Sequence, residues 1–396
     1  MTVERPKSIT KGEFCAKMRI LEKKLEQLGK KKIYLCSEGA MRWLTGSRHQ
    51  VVEIAANTPT TVQAVVETSP TTSLRFFSDR WESNRVHDLI EQGIWNECGV
   101  KASYGGTSPD LTEEGIASPL TEDYAEIERS IVSPLAEGME GNQKAKLDWL
   151  VAESRQALIE IAAYMEEGMT GWDLRTLVHH TYHRRHMELN LVMLGLSGMR
   201  RHLHPVVEDD SVVEPGAVVK IAIGARYFDM FHSATQLVKI GEAPSHRELA
   251  VHHALREATL AYADRFTAGA VEKDLHESLG PIFKKVEEKH ELEGFTQSAY
   301  LHHAGGPLSP LGNRDFVITE KGQRKILPYS QFSVNPVDAL EFLKFELQGI
   351  ALPAGPPRII DEFAWKHDGF NAPPYDTIKW RGTTLRLPTI ITHGDT

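Results

Sequence analysis

Residues 214–245, "EPGAVVKIAIGARYFDMFHSATQLVKIGEAPS", constrain the fold more than any other stretch of the chain. A Pro-Gly turn opens them, and two β-rich runs follow, joined through "GARYFD". That pattern predicts an antiparallel hairpin whose connection is longer than the tightest turns. Amphipathic helices flank it. The spacing of Leu147, Leu150, Val151, Leu158, Ile161 and Met165 predicts a helix over about 143–167. "EGMTGWD" ends that helix, with Gly168 as C-cap and Thr170 as N-cap of a second over about 171–187. "HRELAVHHALREATLAYADRF" and "LHESLGPIFKKVEEKHELEG" are two more helices, and "QFSVNPVD" reads as a strand. The C-terminal segment is punctuated by Pro353, Pro356, Pro357, Pro373, Pro374 and Pro388.

The first 130 residues have a different texture. Phe14, Met18, Leu21, Leu25 and Leu28 predict an amphipathic helix over 11–30, and "KIYLCS", "PTTVQAVVET" and "SLRFFS" read as strands. "MRWLTGSRH" reads as a loop or tight turn around Gly46, and "RWESNRVHDLIEQGI" as a helix. Residues 105–142 are rich in Gly, Ser, Pro, Thr and acids, which places a boundary near "SPLAEGMEGNQ". The expectation is an α/β (α+β) chain of two domains: a small α/β domain over 1–140 and a larger one over 141–396.

With 396 residues, 41% apolar and 25% charged, the chain has an ordinary globular balance. A net charge of −9 argues against a phosphate-backbone binder. No stretch approaches the roughly 18 apolar residues of a membrane span. The N-terminus lacks the apolar core of a signal peptide. Cys15, Cys36 and Cys98 are odd in number and scattered, which predicts neither a disulfide framework nor a zinc site, and a cytoplasmic location.

Four clusters carry chemistry-bearing groups. "SGMRRHLHP" puts Arg200, Arg201, His202 and His204 in a Gly/Pro-bounded loop, suited to holding a carboxylate and moving a proton, or simply to solvation. "YLHHAGGPLSP" carries His302 and His303 before Gly305 and Gly306; on an extended segment the two rings face opposite ways, so one faces a given pocket. His179 and His183 stand at chelating i, i+4 spacing, but no glutamate follows His179 as in zinc proteases, and a solvated helix face explains them better. Asp229, Asp338, Glu341 and Glu346 are candidate carboxylates whose burial the sequence does not reveal.

In order and spacing, these segments resemble the pita-bread superfamily of prolidase, aminopeptidase P, methionine aminopeptidase and creatinase, over nearly the whole chain. "RILEKKLEQLGKKKIYLCSEGAMRWLTG" is similar to the N-terminal opening of the two-domain members, and "ALIEIAAYMEEGMTGWDLRTLV" to the helix pair that opens their catalytic domain. "LSGMRRHLHP", the hairpin, "HHAGGPLS", "SVNP" and "KFELQGI" match the segments that carry the active-site histidine and the metal ligands. On this resemblance the five ligand positions fall on Ala222, Ser233, Gly306, Asn335 and Glu346, so that only the last keeps an acid. The resemblance therefore implies a creatinase-like member without metal and without other cofactor. It would act on a small amino-acid-like, guanidino or amide compound, most simply by hydrolysing a C–N bond, with lyase-type elimination, isomerisation or decarboxylation as the alternative reactions.

His204, His302 and Glu346 would be catalytic, with His204 the acid–base group. Arg200, Arg201, Arg226, His232, His303 and Asn335 would bind substrate. A homodimer is expected, with neither nucleic acid nor membrane as partner. The alternatives are a non-catalytic binding module on the same fold, or an Xaa-Pro-type metallopeptidase drawing unusual ligands from Asp229, His232, His302, His303 and Glu346.

Overall fold

The computed structural model describes residues 5–46, 62–78, 82–135, 141–196, 207–300, 305–308, 317–338, 341–360 and 374–393. The chain forms two compact units. The first comprises residues 1–147 with 228–230 and 309–315; the second comprises 148–227, 231–308 and 316–396.

In the first unit, Thr10 caps helix α1 (Lys11–Gln27) by accepting from Glu13 N at 3.3 Å. Phe14, Met18, Leu21 and Leu25 form its buried stripe, whereas Leu28 falls at the C-cap and is exposed. Strand β1 (Lys32–Leu35) leads into helix α2 (Glu38–Thr45), where a turn was expected. Ser37 caps α2 by accepting from Ala40 N at 3.1 Å, and Gly46 ends it at φ 61°. A Cβ at Gly46 would come within 2.7 Å of Ser8 O, so both conformation and space call for glycine there.

Strands β2 (Val62–Glu67) and β3 (Ser73–Ser78), helix α3 (Ser83–Gln92) and strand β4 (Lys101–Gly106) follow. With β5 (Ile116–Ala117) they build one sheet in the order β4-β3-β2-β1-β5. The turn-rich stretch 105–142 thus carries β5 and also helix α4 (Tyr124–Val132), whose buried Tyr124, Ile127, Ile131 and Val132 the Gly/Ser/Pro content hid. Trp95 anchors the core, 4.9 Å from the Phe14 ring and 5.5 Å from Phe76. Cys15 and Cys98, 83 residues apart, are disulfide-bonded, contrary to the expectation from cysteine count; Cys36 takes no part in the bridge. Tertiary packing of α1 near a 3-10 turn (Asn96–Cys98) joins them, and no local spacing signals it.

Helix α5 (Asn142–Tyr164) runs on into the second unit and is followed by α6 (Gly171–His183), which opens on a full capping box between Thr170 and Asp173. Strands β6 (Glu188–Leu196), β7 (Val218–Tyr227) and β8 (Met230–Ile240) are the expected hairpin and its neighbour. Only Phe228 and Asp229 separate β7 from β8, a tighter connection than expected, made possible by Phe228 at φ 53°.

Helices α7 (His246–Ala263), α8 (Glu272–His290) and α9 (Phe295–Tyr300) come next. Strands β9 (Gly306–Pro307), β10 (Gln331–Val334), β11 (Leu347–Ile350) and β12 (Arg358–Ile359) form a second sheet in the order β12-β11-β10-β9. The β13 (Tyr375–Trp380) and β14 (Thr383–Pro388) ribbon follows, and β15 (Ile390–His393) joins the hairpin sheet parallel to β8, giving β15-β8-β7-β6. No helix among the described residues is long and apolar enough to cross a membrane.

Candidate functional site

Two sheets of the second unit supply the site. Along β7, strand alternation puts Lys220, Ala222, Gly224 and Arg226 on one face. On β8, Ser233 and Thr235 share a face and His232 takes the other. In the second sheet, Ser333 pairs with Gly306 across β10 and β9. The β10–β11 register pairs Val334 with Leu347, so one step further it sets Asn335 opposite Glu346.

Glu346 is the centre of this arrangement and is 1% exposed. Thr235 Oγ1 donates to its Oε2 at 2.7 Å, Ser333 Oγ donates to its Oε1 at 3.0 Å, and Lys344 Nζ lies 3.1 Å from Oε2. Burial works to raise its pKa. The Lys344 ammonium and the Ser233 and Thr235 hydroxyls outweigh burial and hold it at about 2, so the carboxylate is ionised. Around it the polar network is closed: Gln348 Nε2 donates to Ser233 O at 2.6 Å, and Gln331 Nε2 donates to Gln348 Oε1 at 2.9 Å.

Lys220 is the odd member. It is 2% exposed, and among the described residues its Nζ has no hydrogen-bond partner. The ammonium position lies 3.6 Å from the centre of the Phe342 ring. Burial, then repulsion from Lys344, push its pKa down to about 7 against a weaker pull from Asp338. Both Asp338 oxygens are engaged, Oδ1 by Ser298 Oγ and Oδ2 by Glu341 N.

Of the residues expected to act, Glu346, Asn335, Arg226 and His232 are described. Glu346 and Asn335 are brought together by the register. Arg226 shares the face of Lys220 but lies about 20 Å along the strand from it, at roughly 3.3 Å per residue. His232 is fully buried on the opposite face of β8 from Thr235. His204, His302, His303, Arg200 and Arg201 lie outside the described residues. Asp229, offered as an unusual ligand, belongs to the first unit, where Lys17 and Lys146 take both its oxygens.

Lys220 and Lys344 are not among the residues expected from the sequence. Two signals were there: a lysine inside the apolar run "VVKIAI", and a lysine two residues from Glu346 in "KFE", the spacing that shares a side of an extended segment.

The fold built on these elements is the pita-bread fold, and the comparisons agree. Residues 151–354 match metallopeptidase family M24. Dipeptidase PepE from Mycobacterium ulcerans superposes with a TM-score of 0.64 at 14% identity, covering 89% of this chain and 97% of that one. A prolidase from Pyrococcus horikoshii OT3 gives 0.64 at 11%, covering 88% and 98%. An Xaa-Pro dipeptidase from Bacillus anthracis gives 0.61 at 13%, covering 95% and 99%. A sequence comparison with curated proteins finds no match. The chain belongs to the M24 family, a family of hydrolase type.

That family implies divalent metal ions, and the described residues around Glu346 do not fit them. Glu346 is the single carboxylate at the five positions that the sequence resemblance assigns to ligands, and its oxygens are already engaged by an ammonium and two hydroxyls. A second buried lysine, Lys220, shares the strand face of Ala222. Metal cations need anionic oxygens and gain nothing from ammonium neighbours. Among the described residues, no group of three or more His, Cys, Asp or Glu is gathered to hold an ion.

Proposed function

We propose that this chain is a metal-independent M24-fold enzyme that hydrolyses a C–N bond in a small amino-acid-like, guanidino or amide compound. The observation that carries this reading is the buried Lys344–Glu346 pair, 3.1 Å apart, at the one matched ligand position that keeps its acid. A side-chain ammonium there supplies the positive charge that metal ions supply in a metallopeptidase. Glu346 serves as the counter-ion that keeps Lys344 in place. His204 takes a proton from water as it attacks the carbon, then delivers it to the departing nitrogen. His302 completes the pocket.

The test combines metal analysis with turnover. Purified protein is assayed for release of ammonia or urea from a panel of guanidino and amide compounds, with and without EDTA. Turnover should ignore EDTA and fall about a hundredfold or more in His204→Asn. Stoichiometric manganese, zinc, cobalt or iron that EDTA removes together with activity would overturn the reading.

A further inference from the structure

Lys220 is a buried group that the chemistry above does not use. Its Nζ carries hydrogen-bond donors with no acceptor among the described residues. Other buried lysines of the second unit are matched: Lys344 by Glu346 at 3.1 Å, and Lys239 by Glu242 at 3.0 Å and Glu248 at 3.1 Å. An unpaired charge in a dry interior is strongly unfavourable, and a methionine of similar volume would avoid it. The position is also not accidental in its surroundings. Lys220 lies on the Ala222 face of β7, beside the Phe342 ring, and close enough to Lys344 to feel its charge. The nearby carboxylates are spoken for: Glu346 by Lys344, Ser333 and Thr235, and Asp338 by Ser298 and Glu341 N. What the described residues of this locality lack is one compact negative group.

We infer that Lys220 is a substrate-anchoring cation, and that the compound bound in this site brings a carboxylate to its Nζ. The inference rests on the metal-free reading above and narrows its substrate class to small carboxylates. Binding would give the ammonium the charge-assisted hydrogen bond that the described residues do not supply. It would also favour the charged form that burial and Lys344 oppose.

The test uses a matched pair of probes, N-acetylglycine and N-acetylglycinamide, which differ in charge and hardly in shape. Calorimetric titration of the full chain should show the acid binding about tenfold or more tighter than the amide, the worth of one charge-assisted hydrogen bond. In Lys220→Met the two should bind alike, at the level of the amide. A wild-type protein that does not prefer the acid overturns the inference, and that comparison does not depend on how the variant folds. A folded Lys220→Met protein that still prefers the acid overturns it too. Titrations repeated after EDTA separate the two proposals. A preference erased by EDTA assigns the positive charge to a bound metal and removes both. A missing preference in metal-free, EDTA-indifferent enzyme removes only the role of Lys220.

Discussion

The molecule buries lysines in two places and treats them differently. In the first unit, Glu13, Lys17, Lys146 and Asp229 form a quartet of two ammoniums and two carboxylates. Lys17 Nζ lies 2.7 Å from Glu13 and 2.8 Å from Asp229, and donates to Trp43 O at 2.5 Å. Lys146 reaches Glu13 and Ser8 O at 2.8 and 2.9 Å, and pairs with Asp229 as well. Asn142 donates to the remaining Glu13 oxygen at 2.7 Å. Charge is balanced and every ammonium is engaged. Burial opposes the charge on Lys17, but Asp229 and Glu13 outweigh it and raise its pKa. In the second unit the same ingredients give the opposite result for Lys220, whose pKa falls to about 7. A closed set of charges specifies structure. An open one is held against its own stability, as binding sites are.

Breaking the quartet should have the largest effect. Asp229→Ala leaves two ammoniums facing one carboxylate in a dry interior. It should cost about 3–5 kcal/mol in denaturant unfolding, and a loss below about 1 kcal/mol would show that the quartet is not the closed unit described.

Glu346→Gln should cost a comparable or slightly smaller amount by stranding Lys344. It should also change the response to acid. Because the carboxyl's folded pKa is depressed to about 2, its contribution is complete above the ordinary glutamate range and is lost as pH falls toward 2. Wild type should therefore lose stability over that window more steeply than the variant, as urea midpoints at several pH values would report.

Lys220→Met should act in the other direction. The folded-state pKa lies below that of the unfolded chain, so between about 7 and the ordinary lysine value the unfolded state binds more protons, and wild type gains stability as pH rises. The variant should be more stable by about 1–4 kcal/mol, most clearly at or below pH 7, with the gap shrinking toward pH 10. A variant less stable than wild type at pH 6 would erase the contrast between the two clusters. Ser333→Ala, which removes one hydrogen bond to Glu346, should have the smallest effect, a loss of about 1–3 kcal/mol.

How much of this the chain announces depends on range. The hairpin, the helix starting at His246 and the strand Ser73–Ser78 were legible because each rests on local periodicity. Helix α2 was misread because its Gly46 terminator looks like a turn, although Ser37 and Glu38 already signal a start. The two-residue hairpin connection was hidden because it places a phenylalanine, not glycine or asparagine, at positive φ. The Cys15–Cys98 bridge and the quartet join residues 83 and 212 positions apart, which no spacing rule reaches. At the site, Glu346 and Asn335 are named by the resemblance, whereas Lys220 and Lys344 are not, because a lysine in an apolar run points to no chemistry by itself. A cation in a strand core becomes meaningful only once its neighbours are known.

The hairpin tip has a consequence for how the protein is made. Residues 1–147 leave the ribosome long before Asp229, the second carboxylate of their quartet, has been translated. Until then Lys17 and Lys146 have Glu13 alone between them, so the amino-terminal segment waits, incompletely set, for three residues of a hairpin still to be synthesised. Cut at residue 147 and expressed alone, it would keep its sheet and lose its keystone.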